Sequence, residues 1–271
     1  MNIKIVSDSA SNLFTLSGAD YACVPLKINS PSQEYVDTPD LDLDGMIEDL
    51  KKAKGPTRTS CPNVHDWSQA FEGADYAFAV TITSNLSGSC SAAMQAASER
   101  DNVHVVDTLS AGPEMQLIIE KLRDLILDGM DFATIQEKIA DYCTHTHLLF
   151  SLESLTNLAR NGRVSPAVAK IAGVLGLRLV GKASDHGTLE PMHKVRGEKK
   201  ALRTIYEEMK AAGYCGGKVA ISHCKNLPAA QELEGLIRKD FPAAPVDILH
   251  CTALCSFYAE EGGLLVGYED L

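Results

Sequence analysis

Three short segments carry the residue types from which chemistry could be built. The first reads TSNLSGSCS from Thr83 to Ser91, with Ser84, Ser87, Ser89 and Ser91 crowded around the start of an Ala-rich helix. Free backbone N–H groups at a helix start, joined by hydroxyl donors, form an anion site, and Gly88 lets a ligand approach the backbone closely. One N-capping serine would need no ligand, but the hydroxyls outnumber what a single cap requires. The second segment is Asn161-Gly162-Arg163-Val164-Ser165. An Arg after a glycine turn between apolar helices is either a partly buried guanidinium awaiting a carboxylate or phosphate, or a surface Arg complementing a helix C-terminus. The third is the basic stretch Lys194, Arg196, Lys199, Lys200 and Arg203, net +4 with Glu198 counted. It reads as a solvated helix face or as a docking patch.

Other patterns are excluded by their own chemistry. Gly176 to Ala183 (GLRLVGKA) is one residue from a phosphate loop, but Ala183 stands where magnesium needs Ser or Thr. Its intervening residues are bulky, and a hairpin turn follows where a helix should begin. There is no G-x-S-x-G elbow and no HExxH helix. His145 and His147 point two rings to one side of an extended chain with no third ligand in view. The eight cysteines are scattered with no CxxC pair, so His250-Cys251 with Cys255, and His223-Cys224, read as buried thiols rather than zinc ligands. No catalytic residue and no metal site is assigned. Two functions remain open: a carrier without turnover of its own, and a stand-alone hydrolase or acyl-transfer enzyme with Ser87 as nucleophile and a His as base.

The elements that must position these residues follow from periodicity. Apolar runs at Ile3–Val6, Leu26–Ser30, Tyr76–Ile82 and Val103–Val106 read as strands. Helical spacing marks residues near Met46–Leu50, a helix opening at Pro62 with Val64, Trp67, Ala70 and Phe71, then Ala92–Glu99, Glu114–Leu127 and Phe132–Tyr142. This alternation predicts a parallel sheet covered by helices. The second half adds strands at Leu148–Leu152, Arg178–Ala183, Thr188–Val195, Lys218–Ser222, Val246–His250 and Gly263–Tyr268. The turn Asp185-His186-Gly187 joins a hairpin. Helices are expected at Ser154–Ala159, Pro166–Leu175, Glu198–Met209 and Ala229–Arg238. The fold expected is α/β in two domains, a parallel-sheet α/β domain over 1–150 and an α+β domain over 151–271, with a ligand cleft between them. Seven acids between Glu34 and Asp49, with no base among them, read as the solvated face of an amphipathic helix. The net charge of −11 argues against nucleic acid and against permanent residence on anionic lipid. No signal sequence or spanning segment is apparent, so a cytoplasmic protein is expected.

In order and spacing the chain resembles the DegV family of bacterial fatty-acid-binding proteins. The resemblance rests on Val6-Ser7-Asp8-Ser9, Thr59-Ser60-Cys61-Pro62, Leu86-Ser87-Gly88-Ser89, Val106-Asp107-Thr108 with Leu109-Ser110-Ala111-Gly112, Asn161-Gly162-Arg163-Val164-Ser165, and Leu189-Glu190-Pro191 through Lys194 to Ala201. It implies a long-chain fatty acid buried between the domains and no other cofactor. Thr59 beside Ser60, and Ser87 beside Gly88, would hold the carboxylate, with Arg163 supporting that end. It also implies, for some members, a partner: the catalytic subunit of a fatty acid kinase, which phosphorylates the bound acid. Transient membrane contact would then serve lipid transfer. Burying a sixteen-carbon chain is worth roughly 10 kcal/mol gross, whereas an unpaired buried carboxylate is costly. An apolar, small-residue wall is expected at Ile171–Leu177. Two positions depart from the family's pattern. Cys61 stands where Gln is common, and Tyr258 stands where many members have His, so this position can donate a hydrogen bond but carries no positive charge.

Overall fold

The computed structural model describes residues 2–165, 168 and 176–271. Three sheets organise them. The first is wholly parallel, in the order β2 (Asp20–Val24), β1 (Ile3–Asp8), β6 (Tyr76–Thr81), β7 (Val103–Asp107). Its central strands β1 and β6 read as near-continuous apolar runs because both faces are covered. Edge strand β2 is half exposed and gave no such signal. Helices α2 (Val64–Ala70), α3 (Ser89–Ala97) and α5 (Phe132–Tyr142) follow their expected positions. Asn63 opens α2 with a reciprocal capping box to Asp66.

The second sheet has six strands, β10 (Leu189–Arg196), β9 (Leu177–Ala183), β8 (Thr146–Leu152), β13 (Leu264–Glu269), β11 (Val219–His223) and β12 (Val246–His250). It is mixed: only β11 and β12 run parallel. Helices α7 (Glu198–Ala211) and α8 (Leu227–Asp240) pack on it, and short α6 (Thr156–Arg160) leaves the end of β8. The boundary expected at residues 150/151 falls inside β8, a strand that belongs whole to this sheet. The helix expected over Pro166–Leu175 lies, Val168 apart, outside the described residues. So does most of the Ile171–Leu177 wall, of which only Gly176 and Leu177 are described.

Helix α4 (Pro113–Leu127) departs from the simple amphipathic expectation. It lies between the two sheets, so Met115, Leu117, Ile118, Ile119 and Leu122 are buried around most of its circumference. The approach is close: a Cβ at Gly267 of β13 would fall 2.5 Å from the Glu114 backbone nitrogen. A larger residue there would lift the helix from the sheet. Buried Glu114 accepts hydrogen bonds from Ser110 and from Thr146 (2.9 Å).

The third sheet is small and antiparallel: β4 (Glu34–Val36), β3 (Lys27–Asn29), β5 (Arg58–Ser60). Together with α1 (Leu43–Lys52) it packs Ile28, Tyr35 and Met46 against Phe150 and Leu152 of β8 and Phe257 of α9 (Ala253–Ala259). The acidic stretch is therefore not all solvated. Asp37 is buried and accepts from Thr252 Oγ1 (3.1 Å) and from the Ala253 (2.8 Å) and Leu254 (3.1 Å) backbone nitrogens. It thereby caps α9 from a distant part of the chain, which no local pattern announces. No helix among the described residues is long and apolar enough to cross a membrane.

Candidate functional site

Where the sheets meet lies a cavity of about 280 Å³. Thr59, Ser60, Ser87, Gly88 and Arg163, the five residues singled out from the sequence, all line it. They arrive from three directions. Thr59 comes from β5, registered against Ile28. Ser87 and Gly88 end the loop between β6 and α3, which is wound so that the Leu86 and Ser87 nitrogens both bond Thr83 O (3.1 and 3.2 Å). Arg163 follows α6, and its Nε donates to Leu86 O (3.0 Å). A second guanidinium nitrogen bonds Asn161 O. The arginine thus ties its own turn to the loop that presents Ser87, instead of lying on the surface.

The start of α3 is built as an anion site is built. Gly88 is its N-cap and supplies no side-chain cap, so the first-turn N–H groups beyond that of Ser89 keep capacity for a ligand. The Ser87 hydroxyl accepts from the Ser89 nitrogen (3.3 Å). Beneath it, fully buried Asp8 accepts from Ser89 Oγ (2.7 Å), the Ile82 nitrogen (2.9 Å) and the Ala10 nitrogen (3.2 Å). Burial pushes the Asp8 carboxyl up to about 6 against the pull of these donors. Cys61 lies over this turn: a Cβ on Gly88 would sit 3.1 Å from its sulfur. Across the cavity, Tyr258 of α9 bonds Thr59, hydroxyl to hydroxyl at 2.7 Å. Burial raises the Tyr258 phenol above its ordinary range. The remainder of the wall is apolar, with Leu148, Phe150 and Leu152 on one face of β8, Leu265 beside them on β13, and Leu254 from α9.

Among the described residues that line this cavity there is no His or Lys. A base for Ser87 is therefore missing from the described surroundings, and the hydrolase alternative loses its geometric support. The four histidines singled out from the sequence are engaged elsewhere. His145 and His147 each bond the Asp270 carboxylate at 2.9 Å, and the His223 and His250 rings meet edge to face, 4.1 Å apart. Cys224, Cys251 and Cys255 are buried thiols, and burial raises all three. Among the described residues no group of three or more His, Cys, Asp or Glu is arranged to hold a metal. The false phosphate loop is strand β9. The five basic residues are exposed at the end of β10 and along the start of α7, while Glu198 among them turns inward to Arg178 (2.7 Å). Sequence reasoning placed Tyr258 only as a departure and missed the supporting roles of Asp8 and Asp37. The acceptor-rich turn at Ser7-Asp8-Ser9 was the one signal for the former.

Parallel and mixed sheets closing on an apolar cavity with a single polar end define the class: an α/β protein built to enclose an amphiphile. The profile described as "Uncharacterised protein, DegV family" matches residues 2–270, and the chain belongs to the DegV family. A DegV domain-containing protein of Streptococcus pneumoniae is 42% identical over 279 residues, covering 99% of each chain. Among solved structures, the S. pneumoniae Fatty Acid Kinase (Fak) B3 protein loaded with linoleic acid superposes with a TM-score of 0.97 at 42% identity, covering 100% of both chains. A DegV family protein from Eubacterium eligens loaded with heptadecanoic acid superposes at 0.96 and 39% identity, over 99% of this chain and 100% of that one.

Proposed function

We propose that this protein binds one long-chain fatty acid in the cavity. The acid's carboxyl group lies at the end formed by Thr59, Ser87, the α3 N-terminus and Arg163, flanked by Ser60 and Gly88. The protein acts as a carrier, presenting that group to a separate ATP-dependent kinase that forms the acyl phosphate. The observation that carries the reading is one cavity whose apolar wall ends in converging hydroxyls, free helix N–H groups and a guanidinium. The wall removes methylenes from water at about 0.8 kcal/mol each, and the polar end meets the cost of desolvating the head group. Relatives at 42% and 39% identity crystallised with linoleic and heptadecanoic acids support the same occupant. Carriage of a membrane-lipid precursor places the protein in the cytoplasm, with transient membrane contact for loading, and binding needs no further cofactor.

Native mass spectrometry of the purified protein, followed by solvent extraction, tests the first part. One acyl chain per protein is expected. Neither bound acid nor binding on its addition would refute it. The exposed Lys199 and Lys200 mark the surface proposed to meet the kinase. Lys199→Glu with Lys200→Glu is expected to leave fatty-acid affinity unchanged and to slow acyl-phosphate formation; unchanged kinetics would remove this surface from the proposal.

A further inference from the structure

Relatives with a straight and a twice-unsaturated chain share this fold, so chain shape must be decided by residues rather than by architecture. One cross-strand row in the cavity floor has the geometry to decide it here. Phe150 of β8 stands opposite Leu265 of β13 on one side and Gly181 of β9 on the other. Directly paired residues face the same side of a sheet, so a side chain at 181 would point the same way as Phe150. A Cβ at Gly181 would fall 2.4 Å from Phe150 Cζ and 2.7 Å from Cε2. The phenyl ring therefore fills the space that any other residue at 181 would take. It lies across the neighbouring strand rather than standing into the cavity it lines.

Along β8, Leu152 is nearest the segment leading to Arg163, Phe150 is about 7 Å further on and Leu148 about 7 Å beyond that. Phe150 thus stands between two leucines of the cavity wall, one on either side of it along the strand. A cis double bond bends an acyl chain and needs lateral room, which a straight chain does not. We propose that Phe150, laid flat by Gly181, is the residue that sets how much bend the cavity admits. This rests on the fatty-acid reading above.

The test is the ratio of the dissociation constants of stearate and oleate, equal in carbon number and different in shape. Phe150→Ala opens the floor and is expected to move the ratio toward oleate by about fivefold or more. Gly181→Ala forces the ring upward and is expected to move it about as far toward stearate. The added methyl also meets Glu190 O at 2.5 Å. If that strain prevents folding, Phe150→Ala carries the test, since it adds no bulk. A folded Phe150→Ala protein whose ratio stays within about twofold of the wild type overturns the inference. Failure of the wild type to bind either acid refutes instead the fatty-acid reading beneath it.

Discussion

Replacing Tyr258 by Phe removes one oxygen and leaves the ring that packs against Phe257 in place. Its hydroxyl lies 2.7 Å from Thr59 Oγ1. Burial raises the phenol's pKa, so it stays protonated through the physiological range with one proton to give. The phenol is the more acidic of the two hydroxyls and so the better donor; donation to Thr59 would leave the threonine proton to turn into the cavity toward a carboxyl group. Without Tyr258 the Thr59 rotor loses its partner and its preferred direction. A neutral hydrogen bond is worth about 1 kcal/mol net, and up to about 3 where its loss strands a buried group. Thr59 is only half-buried, so about 1 kcal/mol is the appropriate magnitude, a five- to tenfold rise in Kd. Displacement of a fluorescent fatty acid measures it, with thermal unfolding checking that the apoprotein is little changed. Thr59→Val and the double variant complete a cycle. If the hydroxyls act as a relay, the double variant should fall short of the sum of the single effects by about 1 kcal/mol. Additive effects, or an unchanged Kd in Tyr258→Phe, would refute the relay.

Two further outcomes follow from the turn beneath Ser87. Asp8 has a folded-state pKa of about 6, above its usual 3.8, so the native state holds its proton the more tightly. The associated stability is present in full below about pH 4 and is lost as pH rises through about 6, to the extent of roughly 3 kcal/mol. Against Asp8→Asn, urea midpoints of the wild type should therefore fall across this window, and parallel pH profiles for the two proteins would count against the assignment. Gly88→Ala keeps a backbone angle of −74° that alanine accepts. Its methyl presses the Cys61 sulfur from 3.1 Å, so the thiol shifts at the head-group end and Kd is expected to rise about threefold. Cys61→Ala in the same chain should restore it; a persistent loss would place the cause elsewhere.

The sequence was most legible where one periodicity met one environment. Strands β1 and β6 are largely apolar because helices cover both faces, and their alternation with helices announces the parallel sheet. Helices α3 and α5 lie near where spacing put them. Legibility failed where partners are remote. The three residues of β5 carry no apolar run, and β5 is a strand only because β3 lies beside it. Asp37 is one of seven acids in a run, and nothing local distinguishes the one that turns inward to cap a helix more than two hundred residues away. Helix α4 reads as amphipathic when one core is assumed, and it has two sheets to satisfy. Ser87 and Arg163 were visible as residue types, while their union through Leu86 O was not.

The position of the polar end follows from the topology. In the order β2-β1-β6-β7 the chain builds outward from β1 to one side and then, from β6, to the other. The strand order therefore reverses between β1 and β6, and loops leaving the carboxyl ends of those two strands must diverge and open a crevice. Asp8 ends β1, and the Thr83–Ser91 loop leaves β6, so the carboxylate that fixes Ser89 and the helix start that offers its N–H groups meet at that crevice. A crevice of this kind ordinarily opens to water. Here β5 and α9 cover one side through Thr59 and Tyr258, and the apolar face of β8 continues it inward. Asp37 holds the start of α9 to the small sheet's end of the chain, and β5 is held by its pairing with β3. On the reading proposed above, the first sheet supplies the site for the head group and the second extends it into an apolar trough, so the cavity needs both sheets.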